Sequence, residues 1–143
     1  MVFHAPVSLD ELNRQGRGTL IERLGIVFTG AGEDWLRATM PVDPRTRQPY
    51  GLLHGGASVV LAETLGSSAG NLCLDAAVHM AVGLEINANH LRAVRAGTVT
   101  GTARALHLGR TTQVWEIRIE DEAGRAVCVS RLTLAVVAAP PAA

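Results

Sequence analysis

The stretch GLLHGGASVVLAETLGSSAGNL, residues 51–72, decides how this chain is read. From Gly55 to Leu72 the positions are apolar or small on nearly every side, and the only charge is Glu63. That pattern predicts a long helix enclosed by other structure, not one lying on a surface. His54-Gly55-Gly56 stands at its mouth. Glycines at a helix start leave backbone N–H groups bare, so a developing oxyanion can be held there by free donors and the positive end of the dipole. Glu63 supplies the complementary half, a base or nucleophile. Buried in apolar surroundings, its carboxylate is expected to have a raised pKa suited to proton transfer near neutrality.

On either side of this helix the chain reads as short elements. Ser8 to Asn13 predicts a capped helix ending near Gly16-Arg17-Gly18, with Ser8 as cap and Glu11 at the capping-box position. Residues 26–29 and 35–40 predict a hairpin around the loop 30–34, and the polar loop 43–49 delivers Gln48 to the helix entrance. The C-terminal half reads as strands over 80–91, 98–108, 111–120 and 125–137, joined by turns too short for a parallel crossover. The fold class is therefore α+β, an antiparallel sheet wrapped around one long central helix. The domain spans 1–137, and 138–143 reads as a disordered tail. One helix cannot cover such a sheet's edges, which predicts pairing between copies of the chain.

Composition narrows the function. With 143 residues, 48% of them hydrophobic, the chain fits one domain with its own core. Thirteen acidic residues balance thirteen basic ones, which argues against nucleic-acid and membrane partners. Every basic residue is arginine, so Schiff-base and activated-lysine chemistry is excluded. Cys73 and Cys128 sit in apolar runs away from any CxxC spacing, as buried free thiols of a reducing compartment would. No apolar run has the length of a membrane span and no signal pattern opens the chain, so a cytoplasmic location is expected. His4, His79, His90 and His107 form no ligand grouping, and no metal is expected.

Spacing adds a geometric constraint. Gly55 and Glu63 lie about 12 Å apart along a helix axis, whereas attacking and stabilising groups must meet within about 3 Å of one carbonyl. If both act in one step, Glu63 must work with the Gly55 entrance of another subunit, across a two-fold axis. Val59, Glu63, Gly66, Ser67 and Gly70 share one helical stripe, whose small residues would admit a close neighbour around the carboxylate. Ser67, one turn on, can hydrogen-bond Glu63 or its water. His54 is either a substrate contact or a structural start residue. Arg92, Arg95 and Arg110, at turns and strand ends with Gly83, are either solvated or a grip for phosphate. Phe28, Tyr50 and the two tryptophans are the aromatic side chains that could stack on a substrate.

The segment MPVDPRTRQPYGLLHGGASVVLAETLGSSAG at 40–70, with VGLEINANHLR at 82–92, LHLG at 106–109 and QVWEI at 113–117, strongly resembles hotdog-fold thioesterases of the phenylacetate and 4-hydroxybenzoyl-CoA type. Within that family the chain is most similar to the group acting on 1,4-dihydroxy-2-naphthoyl-CoA and on dihydroxybenzoyl carrier-protein thioesters. The resemblance implies a hotdog fold, a homotetramer made as a dimer of dimers, and hydrolysis of an acyl-CoA or carrier-protein thioester with no cofactor beyond the coenzyme A of the substrate. It places the acidic residue on Glu63, the carbonyl-polarising amide on Gly55, positioning groups on Gln48 and His54, and water assistance on Ser67. Coenzyme A contacts fall on Gly83, on His90, Leu91, Arg92 and Ala93, and on His107, Leu108, Gly109, Arg110, Thr111 and Thr112. The competing readings are a hydratase or dehydratase on the same fold and a non-catalytic acyl-CoA-binding protein.

Overall fold

The computed structural model describes residues 1–141. Two short helices, α1 (Leu9–Gln15) and α2 (Leu20–Arg23), precede the hairpin β1 (Val27–Ala31) and β2 (Trp35–Pro41). The long helix α3 (Gly55–Leu72) follows, and then β3 (His79–His90), β4 (Thr98–Leu108), β5 (Thr112–Glu120) and β6 (Ala126–Ala138). The six strands form one antiparallel sheet in the order β1-β2-β4-β5-β6-β3, with α3 packed against it. This is the α+β arrangement expected from one enclosed helix and strands joined by short turns.

Local chemistry explains the elements. Ser8 caps α1 by accepting from the Glu11 N–H at 3.2 Å, but the Glu11 carboxylate turns to Arg14 and Gln15 instead of closing a capping box. Helix α2, capped by Thr19, has no period long enough to be read in the sequence. β6 continues through Ala138, and Ala139 N–H donates to the Val78 carbonyl at 2.9 Å, so the expected tail starts later than residue 138. The last two residues of that tail, 142 and 143, lie outside the described residues.

One face of α3 builds the core. Ala57, Leu61, Ala62, Leu65 and Ala69 are buried against Leu36, Met40, Trp115, Ile117, Leu132 and Leu134 of the sheet. Gln113, only 2% exposed, accepts from the Trp115 indole at 3.0 Å and donates to the Gly70 carbonyl at 3.3 Å, so a polar relay crosses the core with both ends satisfied. The opposite face is not enclosed: Val59, Val60, Glu63, Thr64, Ser67 and Ser68 are half-exposed, and Gly56 and Asn71 are exposed. A single sheet covers only one side of a cylinder, which is why the all-round apolar pattern overstates burial within one chain.

The stripe predicted around Glu63 is also divided. A Cβ on Gly66 would lie 2.5 Å from Leu132 Cδ2, and one on Gly70 would lie 2.3 Å from Leu134 Cδ1, so these glycines admit the sheet. They do not make room around the carboxylate.

The strands at the two sheet edges, β1 and β3, are each tied to a helix by an asparagine. Asn13 of α1 donates to the Phe28 carbonyl at 3.0 Å and accepts from its N–H at 2.8 Å. Asn71 of α3 makes the same pair with Ala81, at 3.0 and 2.9 Å.

Candidate active site

The expected site residues fall into two groups at different ends of α3. At the entrance, a bridge between Arg47 and Leu53 closes a tight loop. Gln48 N–H donates to the Leu52 carbonyl at 2.8 Å, and Gly51 adopts φ +80, a conformation that favours glycine. Gln48 Oε1 accepts from the N–H groups of Tyr50 at 2.5 Å and Leu52 at 3.4 Å, so the side chain has its Nε2 donor left to offer.

His54 is the N-cap of α3. Its Nδ1 accepts from Gly56 N–H at 2.8 Å, and its carbonyl accepts from Ala57 and Ser58 at 2.9 and 3.2 Å. Of the four N–H groups that a helix start leaves over, only that of Gly55 has no acceptor among the described residues. Two bare amides were expected; the histidine cap consumes one of them. Gly55 is also tightly approached, because a Cβ there would lie 2.9 Å from His90 Nε2. A cleft of about 360 Å³ opens at this point, lined by Gln48, Gly55, Ser58 and the run His90, Leu91, Arg92 and Ala93. His54 does not line it. Arg92 has no carboxylate partner among the described residues.

Glu63 stands at the other group. Its Oε1 accepts from the Ser67 hydroxyl at 3.2 Å and lies 2.6 Å from where a Gly83 Cβ would be. No arginine pairs with it among the described residues. The carboxylate is half-buried, not fully buried as expected, because the open face of α3 carries it. Gly83 was expected at a strand end, but it lies inside β3 at a bulge, where its missing side chain makes room for Glu63. Beyond Ser67 a second cleft of about 450 Å³ lies between α1 and α3, lined by Leu12, Gln15, Ser67, Ser68, Asn71 and Leu72.

Strand register shows how far apart the groups are. Gly83 pairs with Leu134, Leu134 with Gln113, and Gln113 with Leu108, so Glu63 shares its end of the sheet with the β4–β5 turn. That turn carries His107 to Thr112, closed by Gly109 N–H donating to the Thr112 carbonyl at 2.9 Å and anchored where Val136 N–H meets the Thr111 carbonyl at 2.9 Å. His90 pairs with Cys128, which pairs with Ile119, at the other end. From residue 83 to residue 90 is roughly 20 Å of strand. One chain therefore gathers Gln48, Gly55 and His90–Ala93 in one place and Glu63, Ser67 and Gly83 in another, with the 107–112 turn at the same end of the sheet as Gly83 but on strands separated from β3 by β6. Arg95 joins neither, lining instead a surface hollow with Asp121, Glu122 and Arg125.

Other candidates sort by burial. Trp115 is fully buried, Phe28 is buried, and Trp35 lies under the Arg37 guanidinium at 4.7 Å. Tyr50, 85% exposed beside Gln48, is the aromatic ring left free for a ligand. Burial pushes the Cys73 thiol up to about 11 and raises that of Cys128, which leaves little thiolate at neutral pH. The asparagine clamps had no motif to announce them, since a lone Asn in a helix reads as an ordinary polar residue.

Comparison with known proteins adds the following. Residues 50–128 match the Thioesterase superfamily. The chain is 54% identical over 136 residues to the 1,4-dihydroxy-2-naphthoyl-CoA hydrolase of Escherichia coli K12, covering 95% of this chain and 99% of the relative. It is likewise 54% identical over 136 residues to the proofreading thioesterase EntH of Cronobacter sakazakii, covering 95% and 98%. Among solved structures, a mutant of thioesterase PA1618 from Pseudomonas aeruginosa superposes with a TM-score of 0.96 at 51% identity, covering 96% of this chain and 99% of that one. Thioesterase HI1161 from Haemophilus influenzae gives 0.94 at 52% identity, with 96% of each chain covered.

Proposed function

This chain belongs to the thioesterase superfamily and has its hotdog fold, and we propose that it hydrolyses hydroxylated aromatic acyl-CoA thioesters, of the hydroxybenzoyl or 1,4-dihydroxy-2-naphthoyl type, or their aryl carrier-protein counterparts. The observation that carries the reading is the division of the site: a free amide N–H in a cleft at one end of α3, and a carboxylate without a cationic partner at the other. The class of acyl group is supported by one relative, named for 1,4-dihydroxy-2-naphthoyl-CoA.

Two copies related by a two-fold axis, with their α3 helices antiparallel and their open faces together, would bring each Glu63 to the other's Gly55. The half-exposed valines on that face and the edge position of β3 favour such a pairing. A dimer of dimers then carries the sites in pairs.

In this arrangement the thioester oxygen accepts from Gly55 N–H, with Gln48 lining the same cleft. Glu63 of the facing copy takes a proton from water as the water oxygen attacks the carbonyl carbon, and Ser67 steers the carboxylate by holding Oε1. The negative charge of the tetrahedral intermediate rests at the helix start. It collapses by breaking the carbon–sulfur bond. A thiol with a pKa of about 8.5 leaves with little proton assistance, so one carboxylate suffices. The products are the free acid and the thiol, and no cofactor is consumed. His54 acts indirectly in this scheme, by capping Gly56 so that the unbound amide is that of Gly55. His90 to Ala93 and the facing copy's 107–112 turn would flank the coenzyme A, with Arg92 and Arg110 for its phosphates.

A thiol-release panel tests the substrate class. Hydroxybenzoyl- and dihydroxynaphthoyl-CoA should exceed medium-chain fatty acyl-CoA by at least about tenfold in kcat/KM; a preference for the fatty chains sinks the aromatic reading. Single turnover in ¹⁸O-water separates attack by water from attack by Glu63, because only the second leaves label in the enzyme carboxylate.

A further inference from the structure

The two asparagine clamps use the same chemistry in different company. A carboxamide presents an acceptor and a donor side by side, so it can pair with the N–H and carbonyl of one strand residue as a neighbouring strand would. Asn13 does this to Phe28 on β1, far along the sheet order from β3. Asn71 does it to Ala81 on β3, and its Nδ2 also donates to the Ser67 carbonyl at 2.9 Å.

Those attachments bracket the carboxylate. Ser67 is the residue whose hydroxyl holds Glu63 Oε1, and Ala81 lies two residues before Gly83, whose missing side chain leaves the space that the same oxygen occupies. Glu63 Oε1 is thus lodged between a group on α3 and a group on β3, leaving Oε2 without a partner among the described residues. The width of that slot depends on how α3 is held to β3. We propose that Asn71 is a positioning residue for the hydrolysis, fixing α3 against β3 at Ala81 so that the Ser67–Gly83 slot aims the Glu63 carboxylate.

This rests on the role given to Glu63 above. A misplacement of about 1 Å in a reacting group can cost about 10²-fold in rate, and loss of one clamp among other packing contacts should cost less. Asn71 also borders the second cleft, so substrate contact is the alternative that the test must separate.

The experiment compares kcat, KM and thermal unfolding for Asn71→Ala, Asn71→Gln and Asn13→Ala, with Glu63→Gln as reference. Asn71→Ala should lower kcat about tenfold with KM within twofold. Asn71→Gln, which keeps the carboxamide donor and acceptor on a longer arm, should recover part of the loss. Asn13→Ala removes the equivalent bonds elsewhere and should lower the unfolding temperature while leaving kcat within twofold. The proposal is overturned if kcat of Asn71→Ala is unchanged, if Asn13→Ala lowers kcat equally, or if Asn71→Ala raises KM alone. Should Asn71→Ala not fold, Asn71→Ser is read by the same criteria. Retained activity in Glu63→Gln would defeat the reading of the site itself; an inactive Glu63→Gln beside a fully active Asn71→Ala would defeat this inference alone.

Discussion

The entrance of α3 and its middle leave opposite things unsatisfied. At the entrance the surplus is a donor: His54 consumes the amide of Gly56, and the amide of Gly55 is left facing a cleft. In the middle the surplus is an acceptor, a carboxylate steadied by a hydroxyl and a glycine but neutralised by no arginine. Brought together around a thioester carbonyl they are the two requirements of acyl transfer, charge stabilisation and a proton acceptor. Because a rigid helix separates them by about 12 Å, the proposed match requires a second chain.

The largest expected effect follows from removing the acceptor. Glu63→Gln should lower kcat by at least about 10³ in a thiol-release assay; a loss under tenfold would show that the two ends of α3 do not cooperate in chemistry. Gly55→Ala should cost about 10², because the new Cβ would lie 2.9 Å from His90 Nε2 and push the imidazole into the cleft. Mixing these two damaged proteins tests the division between chains directly. Each mixed dimer would hold one intact site, so random exchange should restore about a quarter of the native rate. No recovery on mixing would place both groups in one chain's site.

Smaller effects refine the acceptor end. Gly83→Ala puts a Cβ 2.6 Å from Glu63 Oε1 and should displace the carboxylate, with a fall in kcat of about tenfold and little change in unfolding temperature. Ser67→Ala removes one hydrogen bond worth about 1 kcal/mol and should lower kcat about fivefold. Cys73→Ser, at the far end of the same helix, should leave kcat within twofold, since a thiol pushed up to about 11 contributes no nucleophile at neutral pH.

Legibility differed between these regions for physical reasons. Helix α3 is legible in full because glycines and a small and apolar run carrying one charge mark its start and its length, and the strands because turn signals at Gly109-Arg110 and Asp121 to Gly124 separate them. Candidate residues for both halves of the site were also visible, since few side chains can do acid–base work in an apolar helix. What escaped was everything set by contacts distant in sequence. The split of the Val59–Gly70 stripe depends on where Leu132 and Leu134 meet the helix. The loss of one of two free amides depends on the rotamer of His54. That Glu63 occupies the space beside Gly83 depends on how α3 lies against β3, which nothing in the neighbours of Gly83 reveals.

Composition and period alone determined an α+β chain with one long helix, a lone acid within it and a glycine entrance, because each of those follows from residues within a few turns of one another. Tertiary structure alone decided which face of that helix the sheet covers and which stays open, and that Glu63 shares its end of the sheet with Gly83 and the β4–β5 turn while Gly55 shares the other with His90. Those relations are fixed by strand order and register, which join residues tens of positions apart and leave no mark on the local pattern.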